Sequence, residues 1–225
     1  MAPPPPPPHR AEVEYLVRRA LYQRLGKNLP RRVLAPNPLV VNVRARHCHL
    51  TLQALETLFG KGAALTPMKG LYQKDQFAAR ESVTLVGPLG RVISNLRVFG
   101  PCRSFNQVEL SRTDATALGF EIPIRPSGSV AGTPGCILMG PAGHLSLTEG
   151  VIRAARHVHM HPDDAAFYKV KDGDFMHLKV GGPCATTFDR LLVRVHADFK
   201  LEVHIDADEG NACALEPNTP VELLP

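Results

Sequence analysis

The sequence has no tryptophan, and aromatic residues make up only 6% of it. Its apolar content of 44% is nonetheless ordinary for a globular protein and sufficient for a core. It has no apolar run of membrane-spanning length, which excludes a transmembrane helix. Five cysteines (Cys48, Cys102, Cys136, Cys184 and Cys213) form no CxxC pair and are odd in number. That pattern argues against a disulfide framework and fits a reducing cytosol. Lys and Arg are scattered rather than blocked, so the formal charge of +5 is a weak sign of anionic ligands and marks no nucleic-acid-binding stripe. Neither GxSxG nor a Walker A loop occurs, so those two signatures of nucleophilic serine and P-loop chemistry are missing. Charges near the start interrupt any hydrophobic h-region, which excludes a secretory signal.

The N-terminal segment stands apart. Residues 3–8 are six consecutive prolines, an extended run that cannot join a packed core. Over 10–25 the spacing of Val13, Leu16, Val17, Ala20, Leu21 and Leu25 predicts an amphipathic helix with one apolar stripe. Glu12 and Glu14 near its start, and Arg18, Arg19, Arg24 and Lys27 near its end, suit the helix dipole. Such a helix either docks on its own protein or binds a partner's groove. The flanking Pro-rich stretches, with 28–38 as a linker, favour the second.

From residue 39 the pattern becomes strand-rich. LVVNVRA, SVTLVGP, RVISNLRVFG, NQVELSR and LLVRVHADF read as short strands bounded by Gly, Pro or Asp. In the first, Val41 and Val43 alternate with Asn42 and Arg44. TLQALETLFG, TDATALG and HPDDAAFYKV read as short helices, with Pro162 suited to a first helical turn. ARHCHL at 45–50 and ARHVHM at 155–160 repeat one phrase, each followed by a helical pattern. A second echo links LVGPLGRV (85–92) with LMGPAGHL (138–145). Together these predict a mostly β fold with short capping helices, arranged as small β-barrels from a weak internal duplication.

His-x-His on a strand places both imidazoles on one side. His47 and His49 therefore converge while Cys48 faces away, and His157 and His159 do likewise. Imidazole is the commonest metal ligand near neutral pH, and a catalytic zinc takes about three protein ligands and an open position. Glu109, in the apolar strand NQVELSR, is the candidate third ligand for the first pair. His204, in LEVHIDADE with Val203 and Ile205 on the other face, is the candidate for the second. Arg103 follows a Gly-Pro turn six residues before Glu109, and its planar fork suits an oxyanion or phosphate. His9, His144, His161, His177 and His196 lack such a context. Cys48 and Cys102 read as small buried thiols, with Cys102 a reserve ligand, and Asp206, Asp208 and Glu209 read as turn or supporting groups.

VNVRARHCHLT, LTPMKGLYQKDQFAARESVTLVGP, QVELSRTDATALG, GVIRAARHVHM and HIDADEGNACA closely resemble the PduL-type phosphotransacylases (phosphate propanoyltransferases) of bacterial microcompartments. The likeness covers about 39–214. It implies two β-barrel domains, one of 39–46 with 155–225 and one of 47–154. It also implies two zinc ions, held by His47, His49 and Glu109 and by His157, His159 and His204, with Arg103 contacting phosphate. The implied reaction converts a short-chain acyl-CoA, acetyl or propanoyl, and phosphate to acyl phosphate and coenzyme A, reversibly. On that reading Lys69, Arg97 and Asn211, and Arg46 or Arg156, are candidate contacts for the CoA nucleotide. The N-terminal helix resembles an encapsulation peptide that would engage shell or core enzymes in the lumen of a cytoplasmic microcompartment, with self-association a further expectation. The competing expectations are a zinc hydrolase of thioesters or phosphoesters and a non-catalytic zinc-stabilised scaffold.

Overall fold

The structure, a computed structural model, describes residues 36–225 and positions 17, 20, 21, 24 and 25. The six-proline run, most of the helix expected over 10–25 and most of the 28–38 linker lie outside the described residues. Of that segment, Val17, Ala20, Leu21 and Arg24 are helical, and the Leu25 N–H donates to the Leu21 carbonyl (3.1 Å).

Residues 36–225 form fifteen strands and four short helices. In chain order these are β1 (Val40–Arg44), β2 (His47–His49), α1 (Leu52–Phe59), β3 (Pro67–Gly70), β4 (Phe77–Val86), β5 (Val92–Gly100) and β6 (Gln107–Glu109). Next come α2 (Arg112–Leu118), β7 (Ile124–Arg125), β8 (Cys136–Met139), β9 (His144–Leu147), β10 (Val151–Ala154), β11 (His157–Met160) and α3 (Pro162–Tyr168). The chain ends with β12 (Phe175–Val180), β13 (Thr186–Val195), β14 (Glu202–Asp206), α4 (Ala207–Ala212) and β15 (Val221–Leu224). The strands make two curled half-barrel sheets. One has six strands in the order β1-β14-β11-β13-β12-β15; the other has nine, β7-β10-β6-β2-β5-β4-β8-β9 with β3 paired to β4.

Each sheet covers its own apolar core. Cys48, Leu50, Leu55, Leu58, Leu85, Leu96, Val98, Val108 and Leu138 fill that of the nine-stranded sheet. Val158, Met160, Met176, Leu178, Leu191, Val193, Val203 and Ile205 fill that of the six-stranded sheet, with Val41 of β1 packed against it. A fully buried leucine contributes about 1.5–3 kcal/mol, so the few on α1 suffice to seat it. The helix starts where the Thr51 hydroxyl accepts from the Ala54 N–H (3.1 Å) and stops at Gly60, whose φ of 104° few other residues adopt. In α3, His161 is the N-cap and Pro162 opens the first turn. Asp206 caps α4, a helix the periodicity did not reveal.

The two His-x-His strands occupy matching frames. β2 runs parallel to β5 and antiparallel to β6, and β11 runs parallel to β13 and antiparallel to β14. Each is followed by a helix, α1 or α3, and each antiparallel partner leads into another, α2 or α4. The strand before each pair, however, crosses to the opposite sheet. β1 precedes β2 but pairs with β14, and β10 precedes β11 but pairs with β6, both in parallel.

The second sequence echo does not follow this correspondence. Its two Gly-Pro turns close the β4–β5 and β8–β9 hairpins, and both hairpins belong to the nine-stranded sheet. The β1 alternation holds. Val41 packs against the core and Val43 lies over Gly210, whereas on the other face Asn42 reaches Glu202 and Arg44 reaches His204 and lines the cleft described below.

Candidate functional site

Cross-strand register brings each third residue opposite its histidine pair. Glu109 on β6 is directly across from His47, and His204 on β14 directly across from His157. Strand alternation turns Cys48 and Val158 into the cores and the imidazoles into one shared cleft of about 390 Å³. Two groups result, His47–His49–Glu109 and His157–His159–His204, each with one ligand atom per residue and all such atoms within 4.8 Å of one another.

Hydrogen bonds on the far side of each ring fix which nitrogen faces inward. His47 Nδ1–H donates to the Ala45 carbonyl and His157 Nδ1–H to the Ala155 carbonyl, each at 2.8 Å. His49 Nδ1–H donates to the Phe99 carbonyl at 3.3 Å. A carbonyl only accepts, so these three rings present bare Nε2 atoms to the cleft. Glu109 Oε2 lies 3.5 Å from His47 Nε2, and Oε1 lies 4.0 Å from His49 Nε2. Each group also has an aromatic wall, His47 stacked on Phe99 (4.1 Å) and His159 on Phe199 (4.3 Å).

Burial keeps the imidazoles neutral. Desolvation lowers the pKa of His49 to about 2 and that of His157 to about 4, and pushes those of His47, His159 and His204 down as well. For Glu109 burial acts upward, but His47, His49 and Arg44 outweigh it and bring the pKa to about 2. Neutral imidazoles around an anionic carboxylate are the donor set of a divalent cation such as zinc. The second group fits a cation for a further reason. Both ring nitrogens of His159 are buried without a hydrogen-bond partner, a costly arrangement unless a ligand satisfies one of them.

The cleft is also rich in arginine. Arg44, Arg103 and Arg194 line it, as does Arg46. Arg103 Nη1 donates to Ser127 Oγ (3.2 Å), and that hydroxyl reaches Glu109 Oε1 (3.2 Å). Arg44 Nη2 lies 3.1 Å from His204 Nδ1, and the Arg194 guanidinium has no hydrogen bond or ion pair among the described residues. None of the three forms an ion pair with a carboxylate among the described residues. Arg46, Arg153 and Arg156 contrast with them: Arg46 pairs with Asp114 (2.7 Å), Arg156 with Glu209 (2.8 Å), and Arg153 with Asp206 and Glu209. Asp206 and Glu209 thus neutralise arginines and cap α4, and Asp208 accepts from the Thr113 N–H. Cys102 is half-buried against the first core and belongs to neither group.

Lys69, Arg97 and Asn211 do not line the cleft. Lys69 is exposed on β3 and Asn211 is exposed on α4. Arg97 sits beside His47 in register, but its guanidinium donates to the carbonyls of Ala79 (3.2 Å) and Arg80 (2.7 Å). Sequence reasoning missed Arg194, Phe99 and Phe199. An Arg in the apolar strand LLVRV was the available signal for Arg194; nothing in the pattern marks the phenylalanines.

Among the described residues no helix is long and apolar enough to cross a membrane. Residues 40–216, the stretch that carries both ligand groups, match the phosphate propanoyltransferase family. The chain is similar to the phosphate propanoyltransferase of Planctopirus limnophila, 52% identical over 96% of this chain and 91% of that protein. It is similar to that of Thermotoga maritima, 52% identical over 79% and 84%, and to that of Salmonella typhimurium, 44% identical over 80% and 85%. With the match running through both histidine strands and their cross-strand partners, the chain belongs to the phosphate propanoyltransferase family, a family of acyltransferases.

Proposed function

We propose that this cleft transfers a short acyl group, acetyl or propanoyl, between coenzyme A and phosphate at a pair of zinc ions. The observation that carries the proposal is two largely buried ligand triads sharing one cleft with three arginines that form no carboxylate ion pair among the described residues. His47, His49 and Glu109 would hold one ion, and His157, His159 and His204 the other. When bound, such ions supply Lewis acidity toward phosphate and carbonyl oxygens and toward the departing thiolate.

The protein's own groups do the rest. A phosphate oxygen attacks the thioester carbonyl carbon, the C–S bond breaks, and coenzyme A leaves as acyl phosphate forms. Arg103, held by Ser127, orients the phosphate, and Arg44 and Arg194 offset the negative charge that gathers in the tetrahedral transition state. Phosphate is already a dianion near neutral pH, so no strong base is required. No cysteine needs to carry the acyl group. Cys48 is wholly buried in the core, where desolvation pushes its thiol pKa far above the ordinary range. Lys69, Arg97 and Asn211 remain the proposed contacts for the CoA nucleotide, outside the cleft. The matching frames around β2 and β11 support an internal duplication, and the two sheets support barrel domains of 39–46 with 155–225 and of 47–154.

The deciding experiment follows CoA release from acetyl- and propanoyl-CoA with and without phosphate. Release should require phosphate; equal release without it would mark a hydrolase. The N-terminal segment is proposed to direct the enzyme into a microcompartment through shell or core enzymes and to promote self-association. Deleting residues 1–27 should leave turnover nearly unchanged and abolish capture by compartments; loss of turnover would place the segment in the catalytic body.

A further inference from the structure

The chain passes between the two sheets at residues 45–46, between β1 and β2, and at residues 155–156, between β10 and β11. Several polar ties between the sheets gather beside these crossings. Arg153 meets Asp206 and Glu209, and Arg156 meets Glu209. The Thr113 N–H donates to Asp208 (2.9 Å) next to Asp114, the partner of Arg46. Two supports of this kind leave one freedom, rotation about the line that joins them. A third tie off that line removes it.

A further group of polar contacts joins the sheets far from the crossings in sequence, and it is built on a loop. Residues 71–76 connect β3 to β4 of the nine-stranded sheet. The loop closes on itself. The Leu71 N–H donates to the Gln76 carbonyl (2.9 Å) and the Gln76 N–H to the Gln73 carbonyl (3.4 Å), with Asp75 in the left-handed region (φ 58°). Its side chains reach the connection between β13 and β14 of the six-stranded sheet. Lys74 Nζ lies 3.4 Å from Asp198 Oδ1, and Lys200 Nζ lies 5.0 Å from the centre of the Tyr72 ring. The Lys74–Asp198 pair is well exposed, so water screens it and it holds little.

Gln73 is different. It is buried, and the other sheet engages its whole amide. The Lys200 N–H donates to Oε1 (3.1 Å), while Nε2 donates to the Lys200 carbonyl (3.0 Å) and to Glu202 Oε2 (2.7 Å). The amide thus meets both backbone groups of one residue, as a residue of a neighbouring strand would. Its bond to the buried carboxylate of Glu202 is charge-assisted. A primary amide has two N–H groups, and both are used, so Gln73 has no donor left for a substrate although it borders the cleft. The effect reaches the second triad through its wall. Phe199, the residue before Lys200, stacks on His159 (4.3 Å). Ala45 and Ala155 of the crossings border the same cleft.

We propose that Gln73 is a positioning residue, a side-chain substitute for strand pairing that holds the two sheets at the spacing acyl transfer requires. It acts through the Lys200 backbone and touches no reacting group. This rests on the reaction proposed for the cleft, and the test separates the two. Gln73→Met keeps the length and apolar stem of the side chain but loses the amide. In the full-length zinc-loaded protein, its kcat should fall roughly 10- to 100-fold, the cost of a displacement on the order of 1 Å, while the KM for phosphate changes less than about threefold. Arg103 and Ser127 lie on the side of the nine-stranded sheet, so phosphate binding is spared, whereas Arg44 and Arg194 belong to the other sheet and lose their alignment. The rates are taken per folded chain, well below the melting midpoint of each protein. Amide exchange should show the Lys200 N–H protected in the unaltered protein and freed in Gln73→Met, with β4 unchanged. An unchanged kcat overturns the proposal. So does a kcat loss no larger than the loss of folded protein, or a KM that rises as much as kcat falls. Exchange at Lys200 as fast as at a free exposed amide in the unaltered protein also overturns it, and that measurement decides should Gln73→Met fail to fold. Phosphate-independent CoA release by the unaltered protein overturns the proposed reaction instead.

Discussion

The first triad would place a carboxylate on the ion proposed for it, whereas the second would offer three neutral imidazoles. A divalent ion among His47, His49 and Glu109 keeps a net charge of +1, and one among His157, His159 and His204 keeps the full +2. The second position is therefore the stronger attractor for a phosphate dianion, and Arg194 is in register with His159 on the same side of the cleft. The difference teaches that one strand frame can carry different side-chain types, Glu109 and His204, at corresponding register positions. It also gives a nearly symmetric scaffold an electrostatically polarised cleft.

Emptying both triads should have the largest effect. Protein stripped by a chelator, with metal content measured, should lose acyl transfer entirely and regain it with zinc. Full activity in verified metal-free protein would break the comparison outright. A smaller change should follow at the arginines. Arg103→Ala removes a charge-assisted contact worth about 1.5–3 kcal/mol, so the KM for phosphate should rise roughly 10- to 100-fold while zinc content stays constant. Arg103→Lys should recover only part of this, because the bidentate fork is lost. Lys179→Ala, which breaks an exposed pair with Glu222 away from the cleft, is the control and should leave that KM unchanged.

The smallest effect should appear in the pH dependence of stability of the metal-free protein. Unfolded histidine takes up a proton near pH 6.5, but buried His157 does so only near 4. Between those values the unfolded state binds more protons, so stability falls as the pH falls, and the contribution is fully present above 6.5. His157→Gln should make the slope between pH 4 and 6.5 shallower by about 1.4 kcal/mol per pH unit, one proton's worth. Glu109 acts lower, its contribution being lost from about 4.5 down to about 2. Glu109→Gln should consequently leave the slope between pH 4.5 and 6.5 nearly as steep. Urea unfolding at stepped pH measures both, and identical slopes for the two variants would erase the distinction between the triads.

Much of this site was legible in the sequence because strands alternate. His47, His49, His157 and His159 had to share a side with their pair-mates, and Glu109 and His204 were polar residues in strands otherwise given to the core. Five of the fifteen strands, β1, β4, β5, β6 and β13, and the first three helices were legible from the same periodicity and from Gly and Pro punctuation. What stayed hidden depends on pairing between distant strands. Arg44 stood only as one of the residues alternating with Val41 and Val43, since alternation names two faces without saying which one meets a cleft. Glu202 and Gln73 are 129 residues apart, and nothing local announces their contact. Lys69, Arg97 and Asn211 entered through family likeness rather than pattern, and they lie off the cleft lining.

The crossed leading strands bear on how the chain is made. β1 is the first described strand to leave the ribosome, yet Arg44 and its partner His204 are 160 residues apart in sequence. At roughly 5–20 residues per second, β1 waits roughly 8–30 s for β14 to be synthesised. Until then its Val40, Val41 and Val43 have no sheet to join and its backbone donors have only water or a chance neighbour. β10, by contrast, finds β6 already translated and can pair at once. Ribosome-bound chains halted before residue 202 should therefore show a protected β10 and an exposed β1, the point at which nascent copies are most open to chaperones and to one another.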